Sequence, residues 1–279
     1  MYKILKKRDL NESNVLMEIE APRVVKKALP GQFVILRVDE NGERIPLTIA
    51  GVDHETGGVR VIFQKVGYST TLLGEKNEGD YICDFAGPLG KPTDFEDFKK
   101  VIVVGGGLGC AIAYPIAKAL FDKGVEVDLV VGFKTKDLII LEDEMKEAAT
   151  RLHIMTDDGS YGKKGFTTDG LDAVLAEDPN YDAVFVFGPP IMMKFIAQVT
   201  KKYGVKTIVS MNPIMIDGTG MCGGCRITVG GETKFACVDG PDFDGHLVDW
   251  DEFMRRSAMY KEQEAEAMAK HKCRMEGMS

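Results

Sequence analysis

Several features that mark whole classes of protein are missing from this 279-residue sequence. No apolar run approaches the roughly 20 residues that a helix needs to span a bilayer, so we expect no membrane partner. Acidic residues outnumber basic ones by 43 to 35 and leave a net charge of −8. We therefore expect no nucleic-acid partner, because phosphate contacts need clustered Lys and Arg. The N-terminal stretch MYKILKKRDLNESN lacks the apolar core of a signal peptide, and we expect a cytoplasmic protein.

Histidine and cysteine are scarce as well, with four and six residues. The histidines show neither metal-ligand nor protease spacing and are interpreted as surface or loop residues: His54, His153, His246 and His271. Thiols stay reduced in the cytoplasm, where close cysteine pairs are more often metal-binding or catalytic than disulfides. Cysteine is concentrated in one segment, MIDGTGMCGGCRITVGGETKFAC. Three thiols so close together predict a metal site: Cys222, Cys225 and Cys237.

The first 97 residues predict β structure. They contain short runs rich in Val, Ile and Phe, separated by turn signals such as DENGE and HETGG. The runs are VLMEIEA, GQFVILRV, RIPLTIAGV, GVRVIFQKV and DYICDFAG. Five or six such strands fit a small antiparallel barrel, although a sandwich shares the same periodicity. We predict an N-terminal antiparallel β-barrel over residues 1–97.

From residue 98 onwards strands and helices alternate. The apolar run KVIVVGGG is followed by CAIAYPIAKALFDKG, which has helical spacing and a glycine stop. Further strands are predicted at VEVDLVVGF, LHIMTDD, YDAVFVFG and KTIVSMN. Such alternation is typical of a parallel sheet covered on both faces. We predict a Rossmann-like α/β domain over residues 98–210, followed by the cysteine segment and a polar, Met-rich helical tail over residues 211–279.

A glycine-rich loop joins the first strand of this α/β region to its helix. Glycine lets the backbone approach a ligand without a Cβ in the way, and the helix N-terminus offers free N–H groups and partial positive charge to a pyrophosphate. The spacing departs from G-x-G-x-x-G because position 110 is Cys, and a tight turn without a ligand is the alternative. The candidate nucleotide-binding residues are Gly105, Gly106, Gly107 and Gly109.

Two further stretches of this region are candidates for the same ligand. Asp157 and Asp158 follow the strand LHIM, where carboxylates accept from ribose hydroxyls and repel a 2′-phosphate, which favours NAD over NADP. A solvated turn is the alternative interpretation. Gly188 and Pro189 stand at the end of a predicted strand, at the sheet edge where ligands of such sheets bind.

Two stretches of the barrel region offer phosphate and flavin contacts. In RIPLTIAG, Arg44 is a candidate for pairing with a phosphate, and Thr48 for offering a hydroxyl to a flavin ring; Pro46 and Leu47 lie between them. In KVGYSTTLLGEKNEGD, small residues and hydroxyls stand in a row and predict a diphosphate cradle built from backbone and side-chain donors. These residues are Gly67, Ser69, Thr70 and Thr71. Each stretch taken alone is a weak signal.

The order of these motifs resembles the ferredoxin–NADP reductase superfamily over nearly the whole chain. The matching stretches are RIPLT, VGYSTTL, GPLG, VIVVGGGLG, TDDGSYG, FGPPIMM and DGTGMCGGC. Within the superfamily the resemblance is to the group with a C-terminal cluster segment. One branch comprises the electron-transfer subunits of dihydroorotate dehydrogenase, and the other the small subunits of electron-bifurcating NADH-dependent ferredoxin:NADP oxidoreductase. The stretches GFKTKDLIILEDEM, TDDGSYGKKGFTT and MNPIMIDGTGMCGGCR look most like the bifurcating branch.

The resemblance implies FAD on the barrel, NAD(H) on the α/β domain and a 2Fe–2S cluster in the C-terminal segment. It implies a heterodimer with a larger subunit that carries another flavin and 4Fe–4S clusters, and an indirect connection to ferredoxin and NADP(H). The superfamily motif places Arg three residues before the flavin-facing hydroxyl, whereas here Arg44 stands four before Thr48. The alternatives are the dihydroorotate branch and a non-redox subunit with structural zinc at the cysteines.

The cysteine spacing leaves the fourth cluster ligand to be identified. Plant-type 2Fe–2S sites use C-x₄-C-x₂-C with a distant fourth Cys. Here Cys222 and Cys225 form the C-x₂-C pair and Cys237 is the distant thiol, so the first position of the pattern falls on Asp217. The resemblance to the bifurcating branch implies the same Asp-plus-three-Cys set. The alternative is that Asp217 caps a turn, with ligation completed by Cys273, His246 or water.

Overall fold

The computed structural model describes the backbone of residues 1–276 and the side chains of residues 1–269. Within that part of the chain, no helix has both the length and the apolar character that crossing a bilayer requires. The described chain forms two seven-stranded sheets and one two-stranded hairpin. The first sheet is antiparallel and the second is parallel except at one edge.

The N-terminal sheet is a nearly closed barrel. Its strands are β1 (Tyr2–Asp9), β2 (Asn14–Glu20), β3 (Phe33–Arg37), β4 (Ile45–Asp53), β5 (Gly58–Gln64), β6 (Tyr81–Ile82) and β7 (Asp84–Leu89), with helices α1 (Pro22–Val25) and α2 (Tyr68–Glu75) in the connections. Their order is β6-β1-β2-β5-β4-β3-β7. The two edge strands, β6 and β7, are separated by Cys83 alone, so the sheet curls until its ends meet.

The structure thus confirms the antiparallel barrel and changes the strand count from five or six to seven. Two features account for the difference. The stretch DYICDFAG divides at Cys83 into β6 and β7, and β1 is so rich in Lys and Arg that Ile4 is its one buried residue. A strand with a single buried position shows no apolar alternation in its sequence.

The second sheet contains β8 (Lys100–Gly106), β9 (Glu126–Phe133), β10 (Arg151–Thr156), β11 (Lys163–Lys164), β12 (Ala183–Phe187), β13 (Lys206–Ser210) and β16 (Asp242–Asp244). The strand order is β11-β10-β9-β8-β12-β13-β16. The helices that connect them are α3 (Cys110–Phe121), α4 (Glu142–Lys146), α5 (Thr167–Glu177) and α6 (Pro190–Tyr203). Strand β8 lies between β9 and β12. The strand order reverses at β8, because the chain continues to β9 and β10 on one side of it and later to β12 and β13 on the other.

Both faces of this sheet are covered, as predicted. Alternate residues of a strand point to opposite faces. In β8, Val101 and Val103 pack in the cluster that includes the buried residues of α3. Ile102 and Val104 pack in the cluster that includes buried residues of α5 and α6. A strand buried on both sides has a continuous apolar sequence, which is why VIVV was recognisable.

The C-terminal segment folds back onto the second sheet. It forms the hairpin β14 (Arg226–Val229) and β15 (Glu232–Phe235), then α7 (Ala236–Asp239), β16, α8 (Trp250–Ser257) and α9 (Lys261–Glu276). Strand β16 pairs antiparallel with β13, Asp242 opposite Ser210. Cys225 and Cys237 lie in one hydrophobic cluster with Phe33 and Ile35 of the barrel. The cysteine segment therefore packs against both preceding regions.

Candidate functional site

A cleft of about 500 Å³ opens between the barrel and the carboxyl ends of the parallel strands. The barrel contributes one wall, the glycine loop and the ends of β12 and β13 the other. The order reversal at β8 makes this sheet edge the position where ligands of open α/β sheets bind. Predicted residues that line the cleft are Pro46, Thr48, Gly106, Gly107, Gly109, Gly188 and Pro189. Residues more than a hundred positions apart in sequence thus meet in one site.

Thr48 reaches the cleft because of its place on β4. It stands opposite Phe33 of β3 in the strand register, and both residues line the cleft. The side-chain period of two along a strand sends Pro46 to the cleft and Leu47 to the other side, against the barrel core. The Leu47 side chain thus packs in the barrel, and this geometry does not favour its contact with a ligand in the cleft.

Arg44 lies outside the cleft. Its Nη2 is 3.7 Å from Oδ2 of Asp84, and the same carboxylate oxygen accepts a 2.7 Å hydrogen bond from Nε of Arg37. The Arg44 side chain is 44% exposed, so this ion pair contributes little to stability. The guanidinium is therefore available to a phosphate, and its phosphate role stays a prediction.

The second barrel stretch forms the N-terminal turn of α2. The Thr70 hydroxyl accepts hydrogen bonds from the N–H groups of Val66 and Gly67, at 3.1 Å each. The Ser69 hydroxyl donates to Oε2 of Glu43 at 3.2 Å. The Thr71 N–H donates to the Gly67 carbonyl at 2.9 Å, as in an ordinary helical turn.

These contacts bring the helix N-terminus beside the loop that carries Glu43 and Arg44. The two barrel stretches are thus neighbours, although neither the α2 residues nor Arg44 line the cleft. The hydroxyls of Ser69 and Thr70 are engaged within the protein. A diphosphate cradle at this place stays a prediction, and backbone N–H groups at the N-terminus of α2 are the donors it would use.

The four glycines of the nucleotide loop serve different purposes. Gly107 begins a short 3₁₀ turn with φ +56°, and a Cβ there would meet nothing within 4 Å. It is the open position at which a ligand can approach the backbone. A Cβ at Gly109 would overlap the carbonyl oxygen of Phe187, and one at Gly106 would overlap Sδ of Met192. Those two glycines allow close packing of the loop against β12 and α6.

Gly105 is also a packing position, since a Cβ there would lie 3.0 Å from Cα of Cys110. Cys110 is fully buried at the start of α3. Burial raises the pKa of its thiol far above the ordinary range, so the thiol stays neutral and Cys110 acts as a small packing residue.

The acidic pair follows β10 and is exposed. The Asp158 carboxylate accepts from the hydroxyl and the N–H of Ser160, at 2.7 and 2.9 Å, and these hydrogen bonds lower its pKa. Strand β9 separates β10 from the glycine loop of β8, so neither Asp157 nor Asp158 lines the cleft. Lys134, at the end of β9, does line it, and sequence reasoning missed this residue.

The cysteine segment gathers the predicted cluster ligands. The Cys225 thiol donates to Sγ of Cys237 at 3.1 Å, and both residues are buried. Burial is the main cause that raises the pKa of Cys237 to about 12, and the nearby Asp217 carboxylate adds to it. Asp217 accepts hydrogen bonds from the N–H groups of Thr219 at 2.8 Å and Cys222 at 2.6 Å.

This donor set fits an iron–sulfur group chemically. The sulfurs of Cys225 and Cys237 are adjacent and shielded, the third at Cys222 is exposed, and the Asp217 carboxylate is hydrogen-bonded to the Cys222 N–H. Gly218, Gly220 and Gly223 adopt positive φ, which lets the loop curl around a ligand. Among the described side chains, no three His, Cys, Asp or Glu are close enough to hold a single metal ion. Ligation by Asp217 stays a prediction, and the Cys273 alternative lies outside the described side chains.

Other residues of the cleft were missed because they come from elements with no motif of their own. Asn14 starts β2 and Gln64 ends β5, and both reach the cleft from the barrel. The end of β13 and the residues directly after it line the opposite wall with Ser210, Met211 and Asn212, together with Pro241. Their signal was position alone, since polar residues directly after a parallel strand lie at the ligand edge.

Asp242 was also missed. Its Oδ2 accepts a 2.6 Å hydrogen bond from the Thr93 hydroxyl, while its Oδ1 is buried without a hydrogen-bond partner among the described residues. Burial raises the pKa of this carboxyl to about 6. It stands beside Pro241 and opposite Ser210, both in the cleft wall.

Comparison with known proteins places the chain among redox subunits. Residues 212–249 match the iron–sulfur cluster binding domain of dihydroorotate dehydrogenase B. The chain is 50% identical, over 95% of its length and 93% of the relative, to a dihydroorotate dehydrogenase B (NAD(+)) electron transfer subunit homolog of Thermotoga maritima. It is 35% identical to the electron transfer subunit of Bacillus caldolyticus, covering 77% of this chain and 84% of that one.

A solved structure provides a further comparison. It comes from the NADH-dependent reduced ferredoxin–NADP oxidoreductase, described in connection with flavin-based electron bifurcation. The TM-score is 0.91 at 47% identity, and the match covers 97% of this chain and 98% of that one. The two proteins thus share their fold over nearly the whole chain.

Proposed function

The chain belongs to the family of dihydroorotate dehydrogenase B electron-transfer subunits, and we propose that it works as the small, electron-transferring subunit of an NADH-dependent ferredoxin:NADP oxidoreductase. The resemblance stated from the sequence is confirmed by this membership. The observation that supports the activity is the shared cleft, in which the barrel residue Thr48 faces the glycine loop. A flavin on the barrel and a nicotinamide on the loop can meet only in such a place.

The residues around the cleft would bind and orient the flavin and the dinucleotide. Thr48 offers a hydroxyl to the flavin edge, and Gly107 leaves room for the dinucleotide backbone beside the N-terminus of α3. Phe33, Leu108 and Ile112 add apolar surface to walls that are otherwise mixed, and the reacting rings would pack against it. FAD and NAD(H) supply hydride transfer, and the 2Fe–2S cluster supplies single-electron exchange.

A larger subunit carrying flavin and iron–sulfur groups completes the enzyme as a heterodimer. Electron exchange requires the cluster to lie close to the partner, and Cys222 is on the surface. The apolar side chains near it are unusually exposed: Met221 by 88%, Ile216 by 51% and Val238 by 39%. Apolar groups gathered at a polar surface mark a protein interface. We assign the docking of the larger subunit to this surface.

The assembled enzyme would couple NADPH oxidation to the reduction of ferredoxin and NAD, or run in reverse. Ferredoxin and NADP(H) would react on the larger subunit and reach this chain only through electrons. Cluster ligation needs cysteines that are not oxidised to disulfides, a condition that the cytoplasm provides, and we propose that location for the complex.

The absorption spectrum of the purified complex tests this function against a zinc-binding role. We expect flavin bands together with broad iron–sulfur absorption, and on addition of NADH the flavin bands should bleach while part of the iron–sulfur absorption remains. A protein that holds zinc and remains colourless would overturn the redox assignment.

A second candidate is the electron-transfer subunit of a dihydroorotate dehydrogenase, favoured by the relatives of that name. The two enzymes differ in their partner. Identification of the co-purified large subunit, together with assays in which NADH reduces orotate or NADH and reduced ferredoxin reduce NADP, separates them. Ferredoxin-dependent NADP reduction supports the main proposal, and orotate reduction supports the second.

A further inference from the structure

Helix α8 packs against the cysteine segment and is held firmly. Its N-cap residue Asp249 accepts a 2.9 Å hydrogen bond from the Glu252 N–H. Phe253 is fully buried, and the Trp250 indole donates to the Gly245 carbonyl at 3.0 Å. Side chains from the last turn of α8 therefore have well-defined positions relative to the cluster loop.

Arg256, in that last turn, reaches into the loop between two predicted cluster ligands. Its Nη2 donates a 3.1 Å hydrogen bond to the carbonyl of Gly224, which lies between Cys222 and Cys225. The guanidinium and Cys222 line the same cavity of about 210 Å³. A contact over 32 positions of sequence fixes the C-x₂-C turn to a helix that contains none of the ligands.

A second guanidinium supports the same turn. Nη1 of Arg226 approaches the Gly223 carbonyl at 3.4 Å. Consecutive carbonyls of the turn are thus each paired with an arginine. Arg255, next to Arg256 on α8, is exposed. Its charge adds to that of Lys194 in lowering the pKa of Asp251 on the same helix.

The charge of these arginines matters because the group they face is anionic. Three thiolates and a carboxylate give a 2Fe–2S centre a net negative charge, which increases when it accepts an electron. Reduction potentials of such clusters depend on nearby charge, hydrogen bonds and exposure. A guanidinium remains protonated at all relevant pH values, so its stabilisation of the reduced state is permanent.

We propose that Arg256 is a positioning residue for the iron–sulfur site, which holds the C-x₂-C turn in place and raises the reduction potential of the cluster through its charge. This inference rests on the proposed function, since it requires a cluster at these cysteines. In this proposal, the packing of α8 against the cluster segment places the Arg256 cation beside the loop between Cys222 and Cys225.

The test compares three variants in the full complex with its larger subunit. Arg256→Gln removes the charge, Arg256→Lys keeps it without the planar fork, and Arg255→Gln removes an equal charge from the adjacent position. The cluster potential is measured by redox titration followed by EPR, and iron and sulfide are assayed to establish occupancy.

We expect Arg256→Gln to lower the midpoint potential of the cluster. At the wild-type midpoint, the ratio of reduced to oxidised cluster should fall by about tenfold, which corresponds to a shift of about 59 mV for one electron. Arg256→Lys should recover most of that shift, and Arg255→Gln should leave the midpoint unchanged. Equal midpoints for Arg256→Gln and wild type would overturn the inference, as would equal shifts for Arg256→Gln and Arg255→Gln.

If Arg256→Gln fails to retain the cluster, Arg226→Gln provides the charge test. It removes the second cation of the turn and should lower the midpoint in the same direction; an unchanged midpoint would overturn the charge effect. A wild-type complex without any 2Fe–2S signal would instead contradict the proposed function, so the two failures are distinguishable.

Discussion

The Thr93 hydroxyl donates a 2.6 Å hydrogen bond to Oδ2 of Asp242 and so joins three parts of the molecule. Thr93 lies in the connection between the barrel and the second sheet, and its backbone N–H donates to the Pro30 carbonyl of the barrel. Asp242 is on β16, directly after Pro241 in the cleft wall. Through Thr93, this hydrogen bond connects the barrel and the start of the second sheet to β16, which follows the cluster segment.

The first prediction concerns the pH dependence of stability at Asp242. Burial raises its folded-state pKa to about 6, above the ordinary 3.8, so folding favours the neutral form. The resulting stabilisation is present below about pH 4 and is lost as the pH rises through about 6. The side chain of Asp242→Asn is neutral at every pH. We therefore expect the free energy of unfolding of this variant to exceed that of wild type above pH 6, by at most about 3 kcal/mol.

Chemical denaturation at pH 5 and pH 8 measures this effect as the change in the difference between variant and wild type. Asp244→Asn, at an exposed position of the same strand, is the control. A difference between Asp242→Asn and wild type that is the same at both pH values would contradict the assignment.

The second prediction is that Thr48 lies against the flavin. Thr48→Val keeps the side-chain shape and removes the hydroxyl. A hydrogen bond lost in a dry site costs about 1–3 kcal/mol, and each 1.4 kcal/mol is about a factor of 10 in rate. Stopped-flow reduction by NADH should slow by about tenfold while FAD stays bound. Thr233→Val, on the exposed hairpin strand β15, should reduce at the wild-type rate; an equally fast Thr48→Val would place this residue away from the ring.

The third prediction is a preference for NADH over NADPH in this chain. Asp157 and Asp158 present carboxylates at the end of β10, and they would repel a 2′-phosphate. The measured quantity is kcat/KM for reduction of an artificial acceptor by each nucleotide. We expect a strong preference for NADH, and a smaller one in the Asp157→Asn, Asp158→Asn double variant.

Lys134 refines this experiment, since it is a cation in the cleft wall. Lys134→Met should weaken binding of both nucleotides, because their shared pyrophosphate is anionic. If the double acidic variant has the same NADH-to-NADPH ratio as wild type, the acidic pair does not select the nucleotide.

The fourth prediction is that Asp217 ligates the cluster. In the structure its carboxylate accepts two backbone hydrogen bonds, from Thr219 and Cys222, which is also how a turn-capping residue would act. Asp217→Asn preserves an acceptor for the turn but removes the anionic ligand. Asp217→Cys supplies a thiolate in its place.

We expect Asp217→Cys to retain a 2Fe–2S cluster with an altered EPR signal and a shifted potential, because the donor to one iron has changed. Asp217→Asn and Asp217→Ala should both weaken or open the site. Wild-type EPR and potential in the asparagine variant would assign Asp217 to turn capping alone.

The sequence by itself determined the types and order of the elements. Apolar runs such as VIVV of β8, the glycine loop after it and the spacing from Asp217 to Cys237 depend on short-range chemistry, in which neighbouring residues set backbone conformation and burial. Those signals were sufficient for the barrel, the parallel sheet and the cluster segment. They failed at β1, where charge conceals the strand, and at Cys83, where one apparent strand is two.

Tertiary structure alone decided which of these residues meet. The sharing of one cleft by Thr48 and Gly107, the return of β16 to the parallel sheet, and the contact of Arg256 with Gly224 all join distant parts of the chain. Such contacts depend on how the barrel closes and on which sheet edge the last segment joins. No local periodicity encodes those choices, because they follow from the packing of whole elements around a shared core.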